Sequence, residues 1–181
     1  CAYFLNFLKA ARRLGYETLL LTEETGDEQL RSIIDTGMVD GVALMDVTMN
    51  DPRIELAQLS SIPLISIGHP MNEINVPCID TDFIEMGEMI MQTLCRNGHS
   101  RILFAGGKEI DYERNGGANY LIRLRASMHD AAARYKIHID EEFTDEDDFD
   151  AAENLLERFI SSENTAIVTQ GGPLFLNNLV A

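Results

Sequence analysis

The side chains most capable of chemistry are spread along this sequence without a recognisable metal or nucleophile pattern. None of the four histidines lies at metal-ligand spacing from another; they are His69, His99, His129 and His138. The three cysteines, Cys1, Cys78 and Cys95, are an odd number with no metal-type spacing. Reduced thiols in a cytoplasmic protein are therefore expected, rather than a disulfide framework. His69 follows a predicted strand, so it is interpreted either as a cleft residue or as an ordinary loop residue.

Motifs for nucleotide, phosphoryl and acyl chemistry are missing from the sequence. The glycine pairs of 104–117 do not form G-x-G-x-x-G, and there is no Walker motif or G-x-S-x-G. A phospho-receiver domain would use Asp46 and Lys108 at strand ends, but no first strand followed by the acidic residues that hold Mg²⁺ is present. The acidic run 140–150 lacks a calcium-loop pattern and is predicted to be a solvated loop. The sequence therefore predicts no enzyme, no metal and no cofactor.

Composition narrows the class of protein further. The chain has 181 residues, 45% of them apolar, which is enough for one large domain or two small lobes. Its formal net charge of −16 opposes binding to nucleic acid phosphates through its own surface. No apolar stretch reaches the roughly 20 residues that a membrane span requires, so no membrane partner is expected.

Hydrophobic spacing predicts alternating helices and strands in the first half of the chain. The predicted helices cover 4–14, the region around 30–37, and 51–60, whereas the predicted strands cover 16–22, 39–47 and 62–68. The strands are almost wholly apolar, as is typical of parallel strands covered on both faces. This order predicts a doubly wound α/β layer.

The second half repeats the pattern after a loop with a short strand at 69–82. Predicted elements are a helix from 83 that ends before Gly98, a strand at 101–107, helices at 121–135 and 152–160, a strand and turn at 165–172, and a helix from Pro173. On spacing alone, Gly98–His99 has two interpretations, a catalytic histidine or a corner of the chain, and the resemblance described next implies the corner.

Several local patterns together resemble the LacI/GalR family of bacterial transcription regulators. They are "LGYETLLLT", "VDGVALM", "IPLISIG", "IDTDFIEMGEMIMQTLCRNGHSRILFAGG" and "NTAIVTQGG", in that order. The resemblance implies an α/β fold of two doubly wound parallel-sheet lobes of periplasmic-binding-protein-like type. The lobes are expected at 1–98 and 99–181. The core's first strand, the end of the second lobe and the helix-turn-helix are expected to lie outside this sequence.

The resemblance also implies a set of effector-binding residues. Its R-x-x-G pattern falls on Arg123, with Arg125 as the competing choice and the other arginine expected on the solvent face of the helix. Asp82 matches a family aspartate and would either cap a helix or reach the cleft. Gly171 and Gly172 stand where the family commonly has Asn-Asp.

These features lead to the expectation of a cytoplasmic, ligand-responsive transcription regulator that acts as a repressor. Its implied partners are a sugar-like effector, operator DNA bound through a helix-turn-helix outside this chain, and a second copy in a homodimer. The alternative is an extracytoplasmic sugar-binding protein of the same fold.

Overall fold

A computed structural model describes residues 2–22, 27–70, 76–113, 117–144 and 150–170. The helices are α1 (Ala2–Arg13), α2 (Asp27–Thr36), α3 (Pro52–Leu59), α4 (Phe83–Arg96), α5 (Asn119–Tyr135) and α6 (Ala151–Ser161). The strands are β1 (Val42–Leu44), β2 (Leu64–Ile67), β3 (Cys78–Ile79), β4 (Arg101–Gly106), β5 (His138–Phe143) and β6 (Ile167–Thr169). A 3-10 turn spans Glu109–Tyr112.

The strands form two separate parallel sheets. The first has the order β1-β2-β3, with Val42 beside Leu64 and Ser66 beside Cys78. The second has the order β5-β4-β6, with Arg101 beside His138 and Leu103 beside Ile167. The predicted α/β class with parallel sheets is therefore confirmed. The lobe boundaries at 1–98 and 99–181 stay a prediction.

Strand β4 shows why a nearly continuous apolar run forms here. It is the central strand of its sheet, and its side chains alternate between two hydrophobic clusters. Ile102 and Phe104 pack with Met91 and Met128 of α4 and α5, whereas Leu103 and Ala105 pack against α6. Burial on both faces removes the polar alternation of a half-exposed strand.

Two secondary-structure predictions are wrong. Residues 16–22 form no strand, and Leu19 and Leu20 are more than half exposed. Extended backbone becomes a strand only when a neighbour accepts its hydrogen bonds, and no described segment pairs with 16–22. The first part of the acidic run is not a loop, because residues 140–143 belong to β5 and pair along β4.

Other expectations are met or lie outside the described residues. Gly98 has φ +82°, and His99 donates its backbone N–H to the Leu94 carbonyl at 3.0 Å, so this corner ends α4 as predicted. Gly171, Gly172 and the helix expected from Pro173 lie outside the described residues, as do residues 145–149 of the acidic run. No helix in the described ranges is long and apolar enough to cross a bilayer.

Candidate functional site

The segments that follow the carboxyl ends of strands in the two sheets contact one another, and the region around these contacts is here called the crevice. On one side, β1 leads into Val47 and Thr48; on the other, the amino end of α5 follows β4 and the 3-10 turn. Thr48 and Ala118 form an isolated antiparallel bridge across the crevice. The buried Asn119 side chain also donates from Nδ2 to the Val47 carbonyl at 2.9 Å. Crevices at the carboxyl ends of parallel strands are the usual ligand sites of open α/β sheets.

A glycine permits this close approach. Gly68, at the end of β2, has φ +119°, and a Cβ there would lie 3.3 Å from both Asn119 Nδ2 and Val47 Cβ. Any larger residue would strain the backbone and press on the contact between the sheets.

An ion pair connects the two sides of the crevice. Arg123 of α5 donates from Nη1 to Asp80 Oδ2 at 2.8 Å, and Asp80 directly follows β3. The two side chains are 23% and 17% exposed, so the pair is mostly shielded but still reachable from solvent. Asp80 is held in place because the same oxygen accepts the His69 backbone N–H at 3.0 Å.

The predicted residues His69 and Asp82 take different positions around this pair. His69 Nδ1 lies 2.6 Å from the Pro70 carbonyl, which can only accept, so in the neutral ring Nδ1 carries the proton and Nε2 is the acceptor. Asp82 caps α4, with Oδ1 accepting from Ile84 N at 3.1 Å and Glu85 N at 2.9 Å. Of the two roles considered for Asp82, the structure gives it the capping one.

Arg125, the competing choice for the ligand contact, has a side chain that is 36% exposed and pairs with the second sheet. It makes two hydrogen bonds to Glu141 of β5, at 2.7 and 2.6 Å. Its guanidinium carbon lies 5.3 Å from the Phe143 ring centre and 5.9 Å from that of Tyr112. The hydrogen bond from Arg125 is the main cause of a lowered Glu141 pKa. Helical spacing alone could not locate this site, because the contact depends on where β5 packs.

Aromatic rings next to Arg125 close the carboxyl edge of the second sheet. Tyr112 donates its hydroxyl to Gln170 Oε1 at 2.8 Å, and burial raises the pKa of Tyr112 to about 12, so the phenol stays protonated. A Cβ on Gly106 would lie 2.8 Å from Phe143 Cδ1 and 2.9 Å from Tyr112 Oη. Glycine is therefore needed for the rings to reach the strand end.

On the opposite side, the loop that follows β1 is cross-linked by hydrogen bonds from Arg53. Arg53 donates from Nη2 to the Met45 and Asp46 carbonyls at 3.2 and 3.1 Å, and to Asp51 Oδ2 at 2.6 Å. Burial raises the Asp51 pKa, but hydrogen bonds and charge from Arg53 outweigh it, and the net pKa is lowered. Asp46 has φ +53°, a conformation that a non-glycine residue adopts at a cost of about 1–3 kcal/mol.

Sequence reasoning missed Asp80, Asp51 and Arg53. The one sequence signal for Asp80 is its position directly after a predicted strand, two residues before Asp82. Asp51 and Arg53 fall at the start of a predicted helix, and that position does not indicate a binding role.

Other concave surfaces and polar clusters offer no stronger site. A hollow of about 650 Å³ beside α1 is lined, among the described residues, by exposed side chains of that helix, and one of about 190 Å³ lies between the end of β5 and α6. Within the described ranges, no three histidine, cysteine or acidic side chains come together as a metal site.

The chain is similar to a known protein family and to several characterised relatives. Residues 3–172 match the family model described as periplasmic binding proteins and the sugar binding domain of the LacI family. The chain is 25% identical over 122 residues to the HTH-type transcriptional regulator MalR of Staphylococcus xylosus, covering 64% of this chain and 36% of MalR. It is 28% identical over 149 residues to the regulator AglR of Rhizobium meliloti (strain 1021), covering 75% of this chain and 38% of AglR.

The fold is likewise similar to a solved structure. A LacI family transcriptional regulator from Bifidobacterium animalis subsp. lactis superposes with a TM-score of 0.78 at 19% identity, covering 95% of this chain and 62% of that one. The chain thus spans little more than a third of the length of the two curated relatives.

Proposed function

The chain belongs to the family of periplasmic binding proteins and LacI-family sugar-binding domains, and from that membership we propose that it is the effector-binding part of a ligand-responsive transcription regulator. Curated relatives are transcriptional regulators rather than enzymes or exported binding proteins, which supports the regulator over the extracytoplasmic alternative. The ligand is a sugar or a sugar-like metabolite bound in the crevice.

One observation supports this function above the others. The Arg123–Asp80 pair lies where the carboxyl ends of both sheets meet, so a ligand there contacts both sides at once. A guanidinium donates paired hydrogen bonds to adjacent hydroxyl groups of a ligand. A carboxylate accepts hydrogen bonds from such hydroxyl groups. A ligand held by both sides changes the balance between relative orientations of the two sheets.

This change in orientation alters the spacing between the two DNA-binding domains of a dimer. We infer that the intact protein is a cytoplasmic homodimer that binds paired operator half-sites through a helix-turn-helix outside this chain. Effector binding shifts the orientation of the lobes and thereby the distance between the two DNA-binding domains.

Calorimetry of the intact protein against a panel of neutral sugars tests the function. We expect Arg123→Ala to weaken binding by roughly 1.5–3 kcal/mol, or about 10- to 150-fold, because charge-assisted hydrogen bonds in the crevice are lost. Arg134→Ala is the matched control, since Arg134 is on the same helix and pairs with Glu88 of α4, at the end of α5 away from the crevice. Equal affinities of Arg123→Ala and the native protein would place the ligand elsewhere.

A further inference from the structure

The arginines around the crevice already have carboxylate partners. Arg123 is paired with Asp80, Arg125 with Glu141, and Arg53 with Asp51, at 2.8, 2.6 and 2.6 Å. Each pair is at least partly shielded from water, with the carboxylate side chains between 2% and 20% exposed. Lys108, which lies two residues after β4, also has an interaction partner. Among the residues that the structure describes, the crevice therefore offers arginines whose charge is balanced.

A further carboxylate lies near the crevice. Asp46, two residues after β1, is exposed, and its backbone carbonyl accepts a hydrogen bond from Arg53 Nη2 at 3.1 Å. An anionic ligand that reached Arg123 would lie within a few ångströms of Asp80. Like charges at that separation repel strongly in a partly shielded site.

A hydroxyl group meets no such repulsion. It donates a hydrogen bond to Asp80 and accepts one from Arg123, so an uncharged polyol satisfies both members of the pair without separating them. A phosphate or carboxylate group has acceptors only, and it satisfies Arg123 at the expense of Asp80.

Resting on the proposed function, we propose that the crevice selects uncharged, hydroxyl-rich ligands and excludes sugar phosphates and sugar acids, with Asp80 as the specificity-determining residue. The partner of Arg123, rather than Arg123 itself, sets the charge of the ligand. Removing the Asp80 charge leaves an arginine with unbalanced charge in the crevice and admits anions.

The test compares each neutral sugar with its phosphate on the intact protein by calorimetry, using glucose with glucose 6-phosphate and ribose with ribose 5-phosphate. For the sugar that binds, we expect its phosphate to bind about 10- to 100-fold more weakly. In Asp80→Asn this ratio falls about tenfold or more. Glu88→Gln is the matched control because it also turns the carboxylate partner of an α5 arginine into an amide, and it leaves the ratio unchanged.

The outcomes separate this proposal from the function on which it rests. If a phosphate binds the native protein more tightly than its parent sugar, sugar sensing stands and the charge selection is overturned, with no variant needed. An unchanged ratio in a folded Asp80→Asn protein overturns the role of Asp80. If neither sugars nor phosphates bind, the sugar-sensing function fails and the proposal falls with it.

Discussion

At the scale of single residues, Gly87 determines how closely α4 and α5 approach. A Cβ at this position would lie 2.5 Å from Ser127 Oγ, 2.7 Å from Ser127 Cβ and 2.9 Å from the Met128 backbone nitrogen. Ser127 in turn donates its hydroxyl to the Ile84 carbonyl at 2.7 Å. The two helices therefore meet through a glycine and a small hydroxyl residue, and the backbone leaves no room for a methyl group.

We expect Gly87→Ala to lower the free energy of unfolding. Alanine is favoured over glycine inside a helix by about 1 kcal/mol, but overpacking a close contact between helices costs about 1–3 kcal/mol. The cost applies in full here because a backbone atom cannot move aside as a flexible side chain can. Urea denaturation followed by circular dichroism measures the difference. Met89→Ala, at an exposed position of the same helix, should change the value by no more than about 0.5 kcal/mol. A Gly87→Ala protein as stable as the native one would contradict this packing.

At the scale of elements, β5 shows how an acidic segment forms a strand. Its three consecutive carboxylates each have a cationic partner: Asp140 pairs with Arg101, Glu141 with Arg125, and Glu142 with Arg158. The ladder with β4 supplies the backbone hydrogen bonds. Charge pairing therefore removes the repulsion that would otherwise favour a solvated loop.

The pKa of Glu141 is lowered in the folded protein. Its ion pair with Arg125 therefore stabilises the fold at pH values above the usual glutamate pKa of about 4.3. This stability is lost as pH falls through the lower, folded-state pKa. Glu141→Gln should therefore cost about 0.5–1.5 kcal/mol at pH 7, a value reduced for solvent screening because Arg125 is 36% exposed.

Thermal unfolding between pH 3 and pH 7 checks this expectation. The native protein and Glu141→Gln should differ at neutral pH and converge towards roughly pH 3. Glu157→Gln, an exposed substitution on α6, controls for the general loss of negative charge. A difference between native and Glu141→Gln that stayed constant with pH would show that the ion pair is not its cause.

At the scale of the whole molecule, charge limits what this chain can bind by itself. The formal net charge is −16, and the relatives bearing the name HTH-type transcriptional regulator are covered over only 29–38% of their length. Duplex DNA is bound mainly through cation–phosphate contacts, which an acidic surface opposes.

We expect no binding of this 181-residue chain to duplex DNA at physiological salt. Fluorescence anisotropy with labelled operator fragments measures it, with the intact protein as the positive comparison. Sub-micromolar, sequence-specific binding by this chain alone would refute the expectation and place a DNA-reading surface within it.

The α/β class, the family and several local features could be predicted from the sequence. The Asp82 cap and the Gly98 corner depend on hydrogen bonds within a few residues, so residue type and spacing were sufficient to indicate them. Hydrophobic periodicity likewise located α4 and β4, because their burial repeats at short range.

The contacts across the crevice could not be predicted from the sequence, because they depend on how distant segments pack. Asp80 and Arg123 are separated by 43 positions, and Arg125 and Glu141 by 16, and neither pair has a local signature. The same holds for strand pairing: residues 16–22 have strand-like composition but no described neighbour, whereas the acidic β5 has one in β4. Local residue preferences indicate where helices and strands can form. Packing then brings backbone partners and opposite charges together, and these contacts determine which elements form and which side chains face a ligand.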